Sequence, residues 1–291
     1  MKKPSNMPDD NPNESKLEVA IKIFNLKDTS HALWIRNCLK SEMFIAKYLK
    51  HPNIVQTFEV LKTHSHGYIV MAFATNGSIQ MDIYQRLKRP YYHEVAKKYF
   101  RYLMTGLQYM HSLNVSHRDL KLDNFLLTAE WLPMISDFGF AARGSNQTKI
   151  VLTHMLRKTC CGTKGYMAPE LHHIIYSSSS TIDEGNNSKV SSIEKYYDAK
   201  AVDIYAMGVS LFEMFNMKKP YSKKMDLDTM RKIRNKEITW ENQKMENICK
   251  ELIYSMLSYN PEDRPNAEEV LKNRWLTRNT VINSLIDKMG M

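Results

Sequence analysis

The stretch SHRDLKLDNFLL, residues 116–127, sets His117, Arg118, Asp119, Lys121, Asp123 and Asn124 close together and then turns apolar. A solvated loop can carry that mix by accident, so the neighbouring sequence has to decide what it means. Thirteen residues beyond Asn124 comes Asp137–Phe138–Gly139. A carboxylate to hold a hydroxyl (Asp119), a lysine to neutralise phosphate (Lys121) and an Asn/Asp pair to hold magnesium (Asn124 and Asp137) together suit phosphoryl transfer. Catalysis of that reaction is mostly positioning and charge neutralisation, with little covalent work for the protein.

Upstream of this stretch, Val95, Tyr99, Leu103, Leu107 and Met110 recur at helical spacing and predict a long helix ending near Leu113. Three segments read as strands: KLEVAIKIFN at 16–25, IVQTFEVLK at 54–62 and GYIVMAF at 67–73, with THSH as the turn between the last two. Leu33, Ile35, Leu39, Met43, Ala46 and Leu49 form the apolar stripe of a helix that Pro52 stops. Downstream, AVDIYAMGVSLFEMF at 201–215 is apolar nearly all round and predicts a buried helix, and helical patterns continue from 226 to about 275. The expected class is α+β. A small strand-rich unit occupies 17–74 and a larger helical one 75–276, between a disordered tail at 1–16 and a C-terminal tail at 277–291. Low apolar content marks residues 177–192 as a flexible insertion.

Hydrophobic residues make up 43% and charged residues 25% of the 291, enough to bury a substantial core. No apolar run is long enough to span a bilayer, and the polar start has no secretory character, so neither a membrane nor export is expected. Cys38, Cys160, Cys161 and Cys249 show no C-x-x-C spacing, which predicts reduced thiols in a cytoplasmic or nuclear protein and no zinc site. A net charge of +10 invites a nucleic-acid reading, but the basic residues are scattered, and a solvated basic surface with no nucleic-acid partner is the expectation.

Four motifs in order, VAIK at 19–22, HRDLKLDN at 117–124, DFG at 137–139 and APE at 168–170, resemble the signature set of eukaryotic protein kinases. The resemblance covers residues 17–276 and implies a bilobal protein kinase-like fold, with an antiparallel-sheet N-lobe and a helical C-lobe. It implies ATP and Mg2+ as cofactors and serine or threonine hydroxyls of proteins as acceptors, since Lys121 follows the pattern of serine/threonine kinases. Under it, Lys22 holds phosphate and Glu42 is its partner. Ala20, Met71, Ala72, Ala74 and Leu126 surround the adenine, with Ala72 to Ala74 as the hinge. Asp119 and Lys121 are catalytic, and Asn124 and Asp137 bind metal. His117 and Asp203 are structural, as is the Glu170–Arg264 pair, and Thr163 buttresses Asp119. Arg118 would pair with a phosphate placed on Thr159 by an upstream activating kinase. CGTKGYMAPE and NPEDRPNAEEVLKNRWL look most like the calmodulin-dependent and AMP-activated group, with the testis-specific serine kinases nearest. Asp123 matches a position that often favours basic substrates, whereas Ser78 stands where many such relatives carry an acid.

One departure stands out. The family covers the ATP phosphates with a glycine-rich loop between two strands that precede the lysine strand, yet there is no glycine before Gly67. The N-lobe is therefore expected to lack its first two strands and to leave the lysine strand with an unpaired edge. Two readings stay open: an incomplete kinase sequence, favoured because Lys22, Glu42, Asp119, Lys121, Asn124 and Asp137 are all kept, or a non-catalytic scaffold.

Overall fold

The structure is a computed structural model that describes residues 18–27, 42, 43, 45, 47–143, 149–151, 162–172, 196–224, 226–242 and 245–278. The tail at 1–16, the insertion at 177–192, most of the residues expected to form the helix before Pro52, and Thr159 lie outside the described residues.

Three strands, β1 (Val19–Asn25), β2 (Thr57–Lys62) and β3 (His66–Ala72), form an antiparallel sheet in the order β1-β3-β2. Alternation along β1 decides which face serves the site. Ala20 pairs with Met71 and Lys22 with Ile69, and the buried Ile69 marks that face as the inner one. Ile21 and Ile23 point the other way and are 54% and 61% exposed. Among the described residues β1 pairs with β3 alone, so its other edge is open as expected. Beside the sheet, Glu42, Met43, Ile45, Lys47 and Tyr48 are helical, with Glu42 and Ile45 buried.

The remainder is predominantly helical. Helix α1 (His93–Ser112) buries Phe100, Leu103, Leu107 and Met110 along one face, as the spacing predicted. Gly106 lets it lie close to the chain ahead of β2, because a Cβ there would sit 2.9 Å from the Asn53 carbonyl oxygen. That carbonyl accepts from the Ile135 amide at 2.9 Å, tying the sheet unit to the helical one. Helix α2 (Ala199–Asn216) is buried along almost its whole length and runs through the core. Asp198 caps its N-terminus, accepting from the amides of Lys200 and Ala201. Helices α3 (Leu227–Arg234), α4 (Asn247–Met256) and α5 (Ala267–Lys272) follow, and then a short helix α6 (Arg274–Thr277). Between α1 and α2, short strands β4 (Val115–Ser116), β5 (Phe125–Leu127), β6 (Pro133–Ile135) and β7 (Ala142–Arg143) pair as β4-β7 and β5-β6, and they hold the 117–124 loop and Asp137 side by side. A small antiparallel-sheet lobe on a larger helical one is the bilobal kinase-like architecture expected from the sequence.

Candidate active site

Lys22 enters the cleft from the inner face of β1 and donates to Glu42 Oε1 at 2.8 Å and to Asp137 Oδ1 at 2.7 Å. Burial opposes charge on the ammonium, but the two carboxylates outweigh it and raise the Lys22 pKa above its ordinary value. Burial pushes Glu42 above the usual carboxylate range despite Lys22. For Asp137 burial also acts upward, but Lys22 prevails, helped by His117 and the Gly139 amide, and the carboxyl is held below its usual range. The lysine therefore joins a carboxylate that stays ionised to one that is more easily protonated.

Asp119 anchors a second cluster. Its Oδ1 accepts from Thr163 Oγ1 at 2.8 Å and its Oδ2 from Lys121 Nζ at 2.7 Å, while Lys121 also donates to Thr163 at 2.7 Å. Asn124 turns its amide nitrogen to the Asp119 carbonyl oxygen at 2.8 Å. The two clusters meet through Ser136, the residue before Asp137, whose amide and hydroxyl both donate to the Asn124 carbonyl at 2.9 Å. Lys22, Asp119, Asn124 and Asp137 thus share one cleft.

Two residues here adopt the left-handed region that non-glycine residues avoid: Arg118 at φ 66° and Asp137 at φ 63°. Such positions cost about 1–3 kcal/mol each and persist only when the surroundings over-determine them. Arg118 is fixed by its amide donating to Asp203 Oδ1 at 2.7 Å and its Nε to the Phe140 carbonyl at 2.6 Å. The His117 amide takes the other Asp203 oxygen at 2.8 Å, and His111 Nε2 lies 2.9 Å from it. His117 also stands 2.8 Å from the Ser136 carbonyl and packs against Phe138, which agrees with a structural role. Of the residues expected to surround adenine, Ala20 pairs with Met71 across β1 and β3, Ala72 ends β3 with its amide on the Gln56 carbonyl, Ala74 follows, and Leu126 lies in β5 bridged to Ser78.

The donor set also suits a magnesium ion. Asn124 and Asp137 offer hard oxygens, and spending the Asn124 nitrogen on Asp119 leaves its amide oxygen without a hydrogen bond among the described residues. A description of the protein kinase domain matches residues 11–276 of the chain. The chain belongs to the protein kinase domain family. Among curated proteins this kinase-domain chain is 32% identical to testis-specific serine/threonine-protein kinase 2 of Mus musculus, over 90% of the chain and 66% of that protein. It is 30% identical to CBL-interacting protein kinase 26 of Oryza sativa subsp. japonica, over 93% of the chain and 49% of the relative. It is 32% identical to CBL-interacting serine/threonine-protein kinase 12 of Arabidopsis thaliana, over 89% of the chain and 47% of the relative. The chain spans about half the length of most of these relatives. They agree with the serine/threonine type and the group that the motifs resemble.

Two elements of the kinase site were not foreseen from sequence. Glu213, 3% exposed inside α2, accepts from Tyr84 at 2.9 Å, from Tyr166 at 2.5 Å and from Lys219 at 3.1 Å. The signal was available: a second acid in an apolar helix, ten residues after Asp203, is as costly unpaired as the first. His111, on the end of α1, carried no local signal for its contact with Asp203, which joins residues 92 apart.

Proposed function

We propose that the chain is the catalytic domain of an ATP- and magnesium-dependent protein kinase that phosphorylates serine and threonine hydroxyls. The observation that carries this reading is the single cleft in which Lys22 meets Asp137 while Asp119 meets Lys121 and Thr163. Asp119, fixed by two donors on its oxygens, would orient the acceptor hydroxyl and take its proton as the oxygen attacks the γ-phosphorus. Lys121, already on Asp119, can turn its ammonium to the transferred group as charge moves onto the leaving oxygen. Lys22 would hold ATP phosphates, with Glu42 keeping the ammonium in place when Asp137 turns to metal. Magnesium held by Asn124 and Asp137 would neutralise phosphate charge. Arg118 and Thr159 are proposed as the regulatory pair. A phosphate on Thr159 would bring roughly −1.5 to −2 charges to a guanidinium already braced on Phe140.

A second reading, a non-catalytic scaffold, is supported by the sheet. Among the described residues β1 has one neighbour, and there is no glycine before Gly67 to form a phosphate-covering loop. Transfer of labelled phosphate from Mg–ATP to serine peptides, measured beside a thermal shift, separates the two. Nucleotide at a hundredfold its Kd contributes about 2.7 kcal/mol of stability. Asp119→Asn should abolish transfer while keeping the shift. If the unaltered chain gave neither shift nor transfer, the kinase reading would fall.

A further inference from the structure

Helix α6 is fastened to α1 by a bond that only one charge state of histidine can make. Trp275, on α6, is fully buried among Phe100, Phe215 and His93, and its indole Nε1–H donates to His93 Nε2 at 2.8 Å. An indole nitrogen can only donate, so Nε2 must be the bare ring nitrogen and the proton must sit on Nδ1. The contacts agree, because Nδ1 faces Glu94 Oε1 at 3.5 Å. One turn along α1, the buried Lys97 donates to the Arg278 carbonyl at 2.9 Å, so positions 93 and 97 together grip residues 275–278.

The imidazole has a second partner within reach. Glu246 stands at the N-cap of α4, where its side chain makes no capping bond, and its Oε1 lies 3.9 Å from the same Nε2. That is beyond hydrogen-bond range, and a bare nitrogen has nothing to give a carboxylate. A proton on Nε2 reverses the preference. The ring then has two donors and no acceptor, the Trp275 N–H loses its partner inside the core, and Glu94 and Glu246 both attract the new charge. Of the other groups around the ring, α2 brings the uncharged Phe215, tilted at 5.9 Å. Arg89 and Glu241 line a cavity shared with His93, but Arg89 lies on the Tyr92 ring and Glu241 is paired with Lys218. The His93 side chain is 26% exposed, so solvent protons reach the ring although the indole is sealed off.

We propose that His93 is a pH-responsive clasp on α6. Neutral, it holds Trp275 and keeps α6 against α1; protonated, it turns Nε2–H to Glu246 and lets α6 open. Histidine changes charge between about pH 5 and 8, so the grip is complete at the upper end of that window and lost at the lower. The proposal uses none of the cleft residues and does not depend on the kinase reading.

Hydrogen exchange read by mass spectrometry on the full chain reports the opening directly, because the amides of Leu276, Thr277 and Arg278 donate to the Asn273 and Arg274 carbonyls. After correction for intrinsic exchange, peptides covering 274–278 should open about tenfold more at about pH 5.5 than at about pH 7.5, the scale of one buried donor left unpaired, while α5 in the same digest stays level. In H93Q, whose amide oxygen can accept the indole N–H at either pH, the step should vanish with α6 closed. In H93R, a permanent cation, α6 should be open at both. E246Q should move the step to lower pH by removing a charge that draws the proton. Unchanged exchange of α5 shows that each variant is folded. No step in the unaltered chain, a step that survives in H93Q, a closed α6 in H93R, or a step unmoved in E246Q would each overturn the proposal.

Discussion

Asp203→Asn tests whether the strained catalytic loop is held from beneath. The side chain is fully buried, and its two oxygens accept from the amides of His117 and Arg118 at 2.8 and 2.7 Å. The amide variant is nearly isosteric but can present only one acceptor, so its NH2 must face one of the two backbone donors or turn to His111. A charge-assisted hydrogen bond contributes about 1.5–3 kcal/mol, and a buried donor left unpaired costs about 1–3 kcal/mol. The net loss, after His111 takes part of the strain, should be about 3 kcal/mol. For a chain of this size that corresponds to a fall of roughly 6–12 °C in Tm. Function should suffer beyond stability, because Arg118 leads directly into Asp119, and a shift of about 1 Å at a reacting group can cost about a hundredfold in rate. Differential scanning fluorimetry gives the first quantity. Phosphate transfer measured well below Tm gives the second, with the Mg–ATP shift as a control for an intact nucleotide cleft. If the variant melted within a degree of the unaltered chain, the claim that Asp203 offsets the left-handed Arg118 would be wrong.

Arg264→Met should destabilise by about 3 kcal/mol in urea unfolding, because it removes both bonds to Glu170 (2.7 and 2.8 Å) and the donors to the Ser258 and Ala201 carbonyls; pairing it with Glu170→Met should recover part of that loss, and no recovery would count against a true pair. The Glu42 carboxyl, raised by burial, should take a proton before the Asp137 carboxyl as pH falls, at values above 4.5. The folded state then binds more protons than the unfolded one, so Glu42 adds stability as pH drops through that window, whereas depressed Asp137 loses its contribution only below 3.8. Carboxyl NMR shifts across pH 3–7 check the order, and Asp137 titrating first would refute it. Ile21→Thr with Ile23→Thr should leave stability within about 1 kcal/mol, since both side chains face outward, and should lower concentration-dependent light scattering from the open β1 edge; a large loss of stability would mean that this face is covered.

What could be read from the residues alone follows a physical line. Asp119, Lys121 and Asn124 lie within six positions, so any fold of that loop keeps them close, and residue type already limits their chemistry. Lys22 was legible because period-two alternation sorts a strand into faces whatever its partner is, and the register with Ile69 agrees with that sorting. The length of α1 and the all-round apolarity of α2 were legible for the same reason, since burial repeats with the geometry of the element. Glu213 shows where this stops. Its three donors, Tyr84, Tyr166 and Lys219, come from separate parts of the chain, and no spacing rule brings them together. Their convergence is a property of how the 162–166 segment packs on α2.

Backbone strain escaped sequence reading more completely, and it bears most directly on chemistry. Arginine has no special liking for the left-handed region and aspartate only a modest one, yet Arg118 and Asp137 both sit there, one before the proposed base and the other at the proposed metal ligand. Local contacts, such as the Gly139 amide on the Asp137 carboxylate, are joined by constraints from far along the chain. Asp203 holds the first through backbone amides, and Lys22, from a different lobe, bonds to the side chain of the second. An unfolded chain would relax both at once. The geometry of the two carboxylates is therefore a consequence of the finished tertiary structure: α2 supplies one constraint and β1 the other, so the cleft is complete only when the two lobes are folded against each other.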